Sequence, residues 1–376
     1  MKLLSFYNTV EEAIFLERIN RFVMALRTKN GKFLHAYVPN TGRMEELCVG
    51  QQPFFITPMK NGKYPYKVVA TTYQQQFVFL ETTKVNDLFL ELLQRNLLPQ
   101  FQYAAQIRRE VNLDDSRFDF SFFQGQKRLI VEVKSCTLCH NGLAMFPDAP
   151  TKRGRKHLVG LERLARQQGY VTHVIFLILN ANAERFMPNM HTDFEYARLL
   201  LNAQAVNFHA FTLTFRDPVT VDLESIRGVP IDLASSRIHC QNKGSYLLLL
   251  ENPSDMTLQV GRLGATYFPQ GWYVYVGSAL HSLNSRLQRH QRKRKKLFWH
   301  IDSLASTAMK VRKVYPIRRI DRIEASLAQA IEKISDGAVK GFGASDAHEE
   351  SHLFYFRASP AQNRAFVEIV FNARTL

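Results

Sequence analysis

The chain has 376 residues, 46% of them hydrophobic and 22% charged, with a formal net charge of +16. That length exceeds one ordinary core and predicts two or three globular domains. The charge points to a polyanion, nucleic acid first and an anionic membrane surface second, while no apolar run reaches the ~20 residues of a membrane helix.

At the start, Asn8, Thr9, Glu11 and Glu12 interrupt the apolar stretch, which makes a poor signal peptide and predicts a cytoplasmic protein. Residues 1–85 read as mostly β. A run from Phe22 to Arg27 turns at Asn30-Gly31 and continues from Phe33 to Val38. Pro39-Asn-Thr-Gly-Arg-Met44 is rich in turn formers, and short strands are expected at 53–57, 66–70 and 76–80. Such spacing suggests a small barrel of the OB-like type, a shape that often binds single strands. The plainer alternative is a module that only packs against its neighbour.

Residues 86–232 alternate helix and strand, which predicts an α/β domain. A helix is expected after Asn86, a good N-cap type. The central stretch runs from Ser116 to Lys134. Phe118, Phe120 and Phe122 alternate with Arg117, Asp119 and Ser121; Leu129, Val131 and Val133 alternate with Ile130, Glu132 and Lys134. Strict alternation predicts two strands, each with one buried face. With Gly125-Gln126 as a two-residue hairpin loop, Asp119 falls opposite Glu132, Arg117 opposite Lys134 and Phe118 opposite Val133. All apolar residues except Phe123 and Ile130 then share one face, and Arg117, Asp119, Glu132 and Lys134 share the other.

Opposed side chains have Cβ atoms about 4.5–5.5 Å apart, where like charges repel. Two carboxylates kept that close suggest a cation between them, and Mg²⁺ or Mn²⁺ takes carboxylates, waters and phosphate oxygens. Such a metal could sharpen a water into a nucleophile while Lys134 neutralises charge on a phosphate. The bland alternative is a surface hairpin whose acids pair with Arg117 and Lys134.

After Met145–Thr151, the basic stretch Lys152-Arg153-Gly154-Arg155-Lys156-His157 opens a helix with Leu158, Leu161, Leu164 and Ala165 on its apolar stripe. Cations there oppose the helix dipole, and a bound phosphate would relieve that. Cys136-Thr-Leu-Cys139-His140 matches a haem-attachment spacing, but export is not signalled and a second Cys-x-x-Cys for zinc is missing. Ordinary thiols are the expectation.

Residues 233–243 are polar and read as a linker, and a separate unit is expected over 244–376. Strands are predicted at 245–250 and 271–277. A helix from about Ser282 carries Arg286 and His290 on one face. Another has Ile320, Ile323, Leu327 and Ile331 apolar, with Glu324 near the same side. Arg289, Arg292, Lys293, Arg294, Lys295 and Lys296 form a basic run followed by Phe298, Trp299 and His300, a pattern suited to nucleic acid.

Residues 1–232 resemble the sugar fermentation stimulation protein A (SfsA) family. The resemblance rests on Arg18-Ile-Asn-Arg21-Phe22, Pro39-Asn-Thr-Gly-Arg-Met44, Ser116-Arg-Phe-Asp-Phe120, Val131-Glu-Val-Lys134, Phe146-Pro-Asp-Ala149, Thr151-Lys-Arg-Gly154 and Lys156-His-Leu158. It implies an OB-like domain (1–85), a restriction-endonuclease-like domain of the PD-(D/E)xK kind (86–232) and DNA binding. Asp119 and Glu132 would hold the metal, Lys134 would be the catalytic lysine, and Glu110 would supply the carboxylate of the first helix. Arg18, Arg21, Asn40, Arg43 and Arg117, with Lys152, Arg153, Lys156 and His157, are candidates to hold nucleic acid.

Residues about 243–357 resemble a GIY-YIG-type nuclease domain. Gly244-Ser245-Tyr246 stands for the first triplet and Tyr275-Val276-Gly277 for the second. Arg286, His290 and Glu324 match the arginine, histidine and glutamate downstream of the triplets, with Glu324 as metal ligand. Trp299-His-Ile-Asp302, Gly341–Asp346 and Ser351-His-Leu353 resemble one subgroup. The gap between triplets is longer than usual, and the cysteines expected near Ala347 and Glu349 are missing. Arg289, Arg292 and Lys293 would extend the nucleic-acid surface. The whole reads as a multidomain α/β and α+β, metal-dependent nuclease acting on DNA, with RNA as a second substrate class. The competing readings are a DNA-binding regulator of sugar metabolism that does not cut, and a membrane-surface protein.

Overall fold

The computed structural model describes residues 2–292, 300–305, 308–343 and 350–375. The chain forms two compact units, Met1–Arg237 and Ile238–Leu376. Among the described residues, no helix is long and apolar enough to cross a membrane.

The first unit begins with β1 (Leu3–Ser5) and a barrel of β2 (Glu11–Asn20), β3 (Val23–Thr28), β4 (Phe33–Tyr37), β5 (Pro53–Pro58) and β6 (Tyr66–Tyr73), with β7 (Gln76–Phe79) appended to β6. The barrel closes through the parallel pair β4–β6, where Ala36 faces Tyr66 and Tyr37 faces Lys67. This is the expected OB barrel. Its longest strand, β2, begins well before the run at Phe22, because Glu11, Glu12, Glu17 and Arg18 obscure an inward alternation of Ala13 and Phe15.

The rest of this unit is a layered α/β fold. It contains α1 (Val85–Gln94), β8 (Ala105–Leu113), β9 (Ser116–Gln124), β10 (Lys127–Cys136), β11 (Cys139–His140), β12 (Leu143–Phe146), α2 (Lys152–Ala165), β13 (Tyr170–Ile178), β14 (Arg185–Pro188), α3 (Phe194–Asn202), β15 (Asn207–Phe215) and β16 (Thr220–Gly228). Seven strands form one sheet in the order β1-β16-β15-β13-β10-β9-β8, with β10, β13 and β15 parallel to one another. One face packs Leu88, Phe89 and Leu92 of α1 against Phe120, Phe122, Val131 and Ile175. The other packs Leu158, Leu161 and Leu164 of α2 and Tyr196 of α3 against Ile130, Val174 and Phe176.

The hairpin register is as expected as far as Phe120 opposite Val131, with Gly125-Gln126 as the loop. Beyond that pair the ladder stops, so Asp119 is not paired with Glu132, nor Arg117 with Lys134, nor Phe118 with Val133. Phe118 packs on the α2 face with Ile130, not with Phe120 and Phe122. The reason is a kink. Glu110 of β8 has φ of 53°, and the β8–β9 ladder passes from Arg109–Phe120 to Val111–Phe118 without a Glu110–Asp119 pair.

Residues expected as a linker form the short helix α4 (Leu233–His239) instead, where Ser235 N donates to Asp232 Oδ1 at 3.0 Å. The second unit contains β17 (Gly244–Asn252), β18 (Met256–Gln259), β19 (Ala265–Phe268), β20 (Gly271–Ala279), α5 (Leu283–Gln291), α6 (His300–Ala305), β21 (Lys310–Ile317), α7 (Glu324–Glu332), β22 (Gly337–Ala338), β23 (Leu353–Phe356) and α8 (Arg364–Arg374). Its main sheet runs β21-β17-β20-β23-β22. The helix carrying Glu324 starts at that residue, so Ile320 lies outside it and is exposed.

In this sheet Tyr246 faces Gly277 and Leu248 faces Tyr275. A Cβ on Gly277 would lie 2.6 Å from the Tyr246 ring and 2.9 Å from that of Tyr275. The glycine therefore admits two tyrosines on one patch of sheet. Overpacking of this kind costs about 1–3 kcal/mol. Gly277→Ala should lower the denaturant midpoint of the second unit accordingly, followed by aromatic circular dichroism; an unchanged midpoint would show that Tyr246 can move aside.

Candidate active sites

The first site forms where β9, β10, α1 and α2 meet. In β10, Ile130, Glu132 and Lys134 alternate with the α1-facing Val131 and Val133, so Glu132 is directed at α2. It is 3% exposed. Its Oε1 accepts from Lys134 Nζ and contacts His157 Nδ1 from α2, while Oε2 is buried with no hydrogen-bond partner. Burial opposes its charge, yet Lys134 and His157 outweigh that and hold the carboxyl below the ordinary range.

Asp119 is held from the other side. Its Oδ1 accepts from Asn86 Nδ2 of α1 at 2.9 Å, and its Oδ2 accepts from the backbone N–H of Val133 at 2.8 Å. The side chain thus takes the place of the ladder bond that stops at Phe120–Val131. Burial, and then the Glu132 charge, push its carboxyl up. The two acids are displaced in opposite directions, as expected of adjacent carboxylates with unequal cationic support.

A divalent ion suits this pair. Mg²⁺ sites often use one or two carboxylates and leave other positions to water and phosphate. An unpartnered buried oxygen beside a carboxyl that resists ionisation is such a donor set. Among the described residues, no group of three or more His, Cys, Asp or Glu is placed to hold a metal ion.

Several expected site residues stand elsewhere. Glu110 is on strand β8, not on a helix, and is exposed, 3.6 Å from Arg117. Its left-handed backbone, uncommon outside glycine, is the nearest sign of local strain. His157 is buried behind Glu132 and cannot face a ligand. Arg153 reaches His157 Nε2 at 3.3 Å, and Lys156 reaches Asp115. Asn86 is inside α1, whose N-cap is Lys84, and serves Asp119 instead of capping.

Arg18 and Asn40 are structural. The Arg18 guanidinium donates to the carbonyls of Arg21 and Asn40, both at 2.9 Å, and of Arg43 at 3.4 Å. The buried Asn40 accepts from Gly42 N at 2.8 Å and donates to Thr137 Oγ1 at 3.2 Å. Asp148 Oδ2 accepts from Met44 N at 2.7 Å, and burial pushes that carboxyl up to about 6. Together they fasten the Pro39–Met44 loop of the barrel to the α/β layer. Arg43 lies 3.9 Å from Glu45, whereas Arg21, stacked over Phe22 at 4.6 Å, and Lys152 are exposed. Cys48, Cys136 and Cys139 are buried free thiols, and burial raises Cys48 and Cys139 to about 12.

In the second unit the structure brings Tyr246, Tyr275, Arg286, His290 and Glu324 together. Tyr246 Oη lies 2.8 Å from His290 Nε2, the Tyr246 and Tyr275 rings are 6.2 Å apart, and Arg286 Nη1 donates to the Ser278 carbonyl at 3.5 Å. Glu324 opens α7. Its Oε2 accepts from Ser278 Oγ, and its Oε1 lies 3.3 Å from His352 Nδ1. Burial opposes the Glu324 charge, but His352 and Ser278 outweigh it and keep the carboxyl low. Burial raises both phenols, so they stay protonated at neutral pH. The sequence does not single out Ser278 or His352; the Ser351-His-Leu353 motif is the one signal that touches either. Arg289 is 2.6 Å from the fully buried Asp302 and serves the fold, Arg292 is exposed, and Lys293, Trp299 and residues 344–349 lie outside the described residues.

Comparison with known proteins agrees with this division. Residues 16–80 match the family model described as the SfsA N-terminal OB domain, and 83–218 that of the sugar fermentation stimulation protein RE domain. A sugar fermentation stimulation protein homolog of Desulforamulus reducens is 36% identical over 54% of this chain and 84% of its own length. The chain belongs to the sugar fermentation stimulation protein family. A homolog from Aquifex aeolicus is 35% identical over 58% of this chain and 95% of its own. Pyrococcus furiosus SfsA, solved in complex with Ca²⁺, is 28% identical with a TM-score of 0.56, covering 62% of this chain and 99% of its own. Residues 245–374 match a domain of unknown function, DUF123.

The opposed acids make a pH prediction. A lowered carboxyl stabilises the fold above its unfolded value, and that support is lost as pH falls through the folded value. His157→Ala should therefore move the Glu132 titration, read by carboxyl NMR, to higher pH and shift acid unfolding the same way. Asp119 has the reverse sign: its raised carboxyl costs stability once pH exceeds the unfolded value of about 3.9. In metal-free buffer, Asp119→Asn should be more stable than the parent chain at pH 7 and should lose that advantage in acid; equal stability at pH 7 would contradict the raised carboxyl.

Proposed function

We propose that the chain is a DNA-binding, divalent-metal-dependent phosphodiesterase, with its principal site at Asp119, Glu132 and Lys134. The observation that carries this reading is the buried Glu132 Oε2 without a donor, set beside Asp119, whose carboxyl is pushed up. The α/β layer then belongs to the PD-(D/E)xK kind, and Asp119 and Glu132 would hold Mg²⁺ or Mn²⁺. When bound, such an ion lowers the pKa of a coordinated water and screens a phosphate. Relatedness to a protein solved with Ca²⁺ supports an oxygen-ligated site, since Ca²⁺ and Mg²⁺ both prefer oxygen donors.

The chain's own groups divide the work. Val133 N and Asn86 orient Asp119, and His157 orients Glu132. Lys134, bound to Glu132 but 16% exposed, can turn its ammonium toward a phosphate and neutralise charge building on it. The OB barrel and the excess positive charge supply sequence-independent affinity for the backbone. The second unit is of the GIY-YIG kind, in which Tyr246 and Tyr275 orient a water, Arg286 steadies the phosphate and Glu324 takes a single metal.

Purified chain with Mg²⁺ or Mn²⁺ should cut DNA, and RNA serves as the comparison substrate. Loss of one preorganised charge-stabilising group typically costs about 10²–10³ in rate. Lys134→Ala should fall by that factor and Asp119→Ala further, each with DNA affinity within a few-fold of the parent chain. Binding without cleavage under every metal would instead leave a DNA-binding regulator that does not cut.

A further inference from the structure

The second unit carries a small hollow, about 120 Å³, lined by Lys243, Ser278, Arg319, Asp321, Arg322 and Glu324. It shares Ser278 and Glu324 with the tyrosine–histidine cluster. Ligand pockets for whole small molecules are usually about 300–1,000 Å³, so this one suits a single compact group and not a nucleoside. The charges define which group. Arg319 is committed, 3.1 Å from Asp321 and donating to the carbonyls of Ala373 and Thr375 at 3.5 and 3.4 Å. Among the described residues, no acid pairs with Lys243 or Arg322; Arg322 is exposed and Lys243 half-buried.

Lys243 sits beside a constrained backbone position, and Arg322 lies in the segment that leads into α7. Lys243 precedes Gly244, whose φ is 139° and where a Cβ would lie 2.2 Å from the Ile317 carbonyl oxygen. The close strand contact, possible only with glycine, fixes where β17 begins. Arg322 follows the turn that Arg319 ties to the C-terminal segment, two residues before Glu324.

We infer that this hollow is a phosphate-anchoring subsite, in which Lys243 and Arg322 hold a backbone phosphate of a nucleic-acid strand beside the one that reaches Glu324. The inference rests on the reading of this unit as acting on nucleic acid, but it concerns binding and not cleavage. Lysine and arginine suit the role, since both donate to phosphate oxygens and neutralising a phosphate releases its counterion.

The test uses the full chain and a short DNA duplex, with Ca²⁺ replacing Mg²⁺ to suppress cutting. Each lost phosphate contact reduces the log–log salt slope of affinity by about 0.9 on duplex, so Lys243→Ala/Arg322→Ala, which releases the one anchored phosphate, should flatten it by about 0.9. Lys243→Arg/Arg322→Lys should restore it, and Lys333→Ala/Lys340→Ala, removing two exposed cations elsewhere on this unit, should not reproduce the effect. A double variant with the parental slope, or one no flatter than the control pair, overturns the anchor. Cleavage lost in Glu324→Ala while the anchor variant keeps its slope sinks the anchor alone. A flattened slope in a unit that never cuts keeps the anchor and sinks the nuclease reading.

Discussion

Glu132 is a carboxylate almost out of water, with a second carboxyl beside it on the neighbouring strand. Burying one charge costs several kcal/mol unless it is paired, and a like charge nearby adds to that cost. Lys134 and His157 bond Glu132, and the Lys134 charge also acts on Asp119. The hydrogen bonds that Asp119 accepts come from a backbone N–H and an amide, neither of which carries full charge. The two acids therefore have unequal cationic support. Past the kink at Glu110, where the β9–β10 ladder ends, Val133 N donates to the Asp119 side chain in place of a strand partner.

The second unit solves a similar problem with different parts. Glu324 stands at the first position of a helix, where the dipole favours an anion. A hydroxyl from β20 and an imidazole from the residue before β23 take its two oxygens. Two buried phenols and His290 lie close by, so the patch is rich in hydrogen-bond donors.

Some of the chain's cations are tied into the fold. Arg18 donates to four carbonyls, and Arg289 meets a buried aspartate. The acid Asp148 fastens a barrel loop beside the fully buried Glu46, whose carboxyl is raised by burial and then by Asp148. The cations left at the surface, Arg21, Lys152, Arg292 and Arg322 among them, are those that a strand could neutralise.

By itself the sequence determined what depends on neighbours a few residues apart. Alternation in 116–134 and a two-residue loop specified the hairpin and its register up to Phe120–Val131, and helical spacing specified α2 and α5. Tyr246, Tyr275, Arg286, His290 and Glu324 were legible as a set because their order and types match a motif. Tertiary structure alone decided the partners of long polar side chains. Asn40 meets Thr137 and Asp148 meets Met44 across 97 and 104 residues, and Asn86 meets Asp119 across 33. No local period encodes such a contact, because closing a loop of that length is governed by the packing of the layers between. For the same reason Glu110 reads as a helix acid, and the carbonyls that Arg18 meets go unread, until the strands around them are in place.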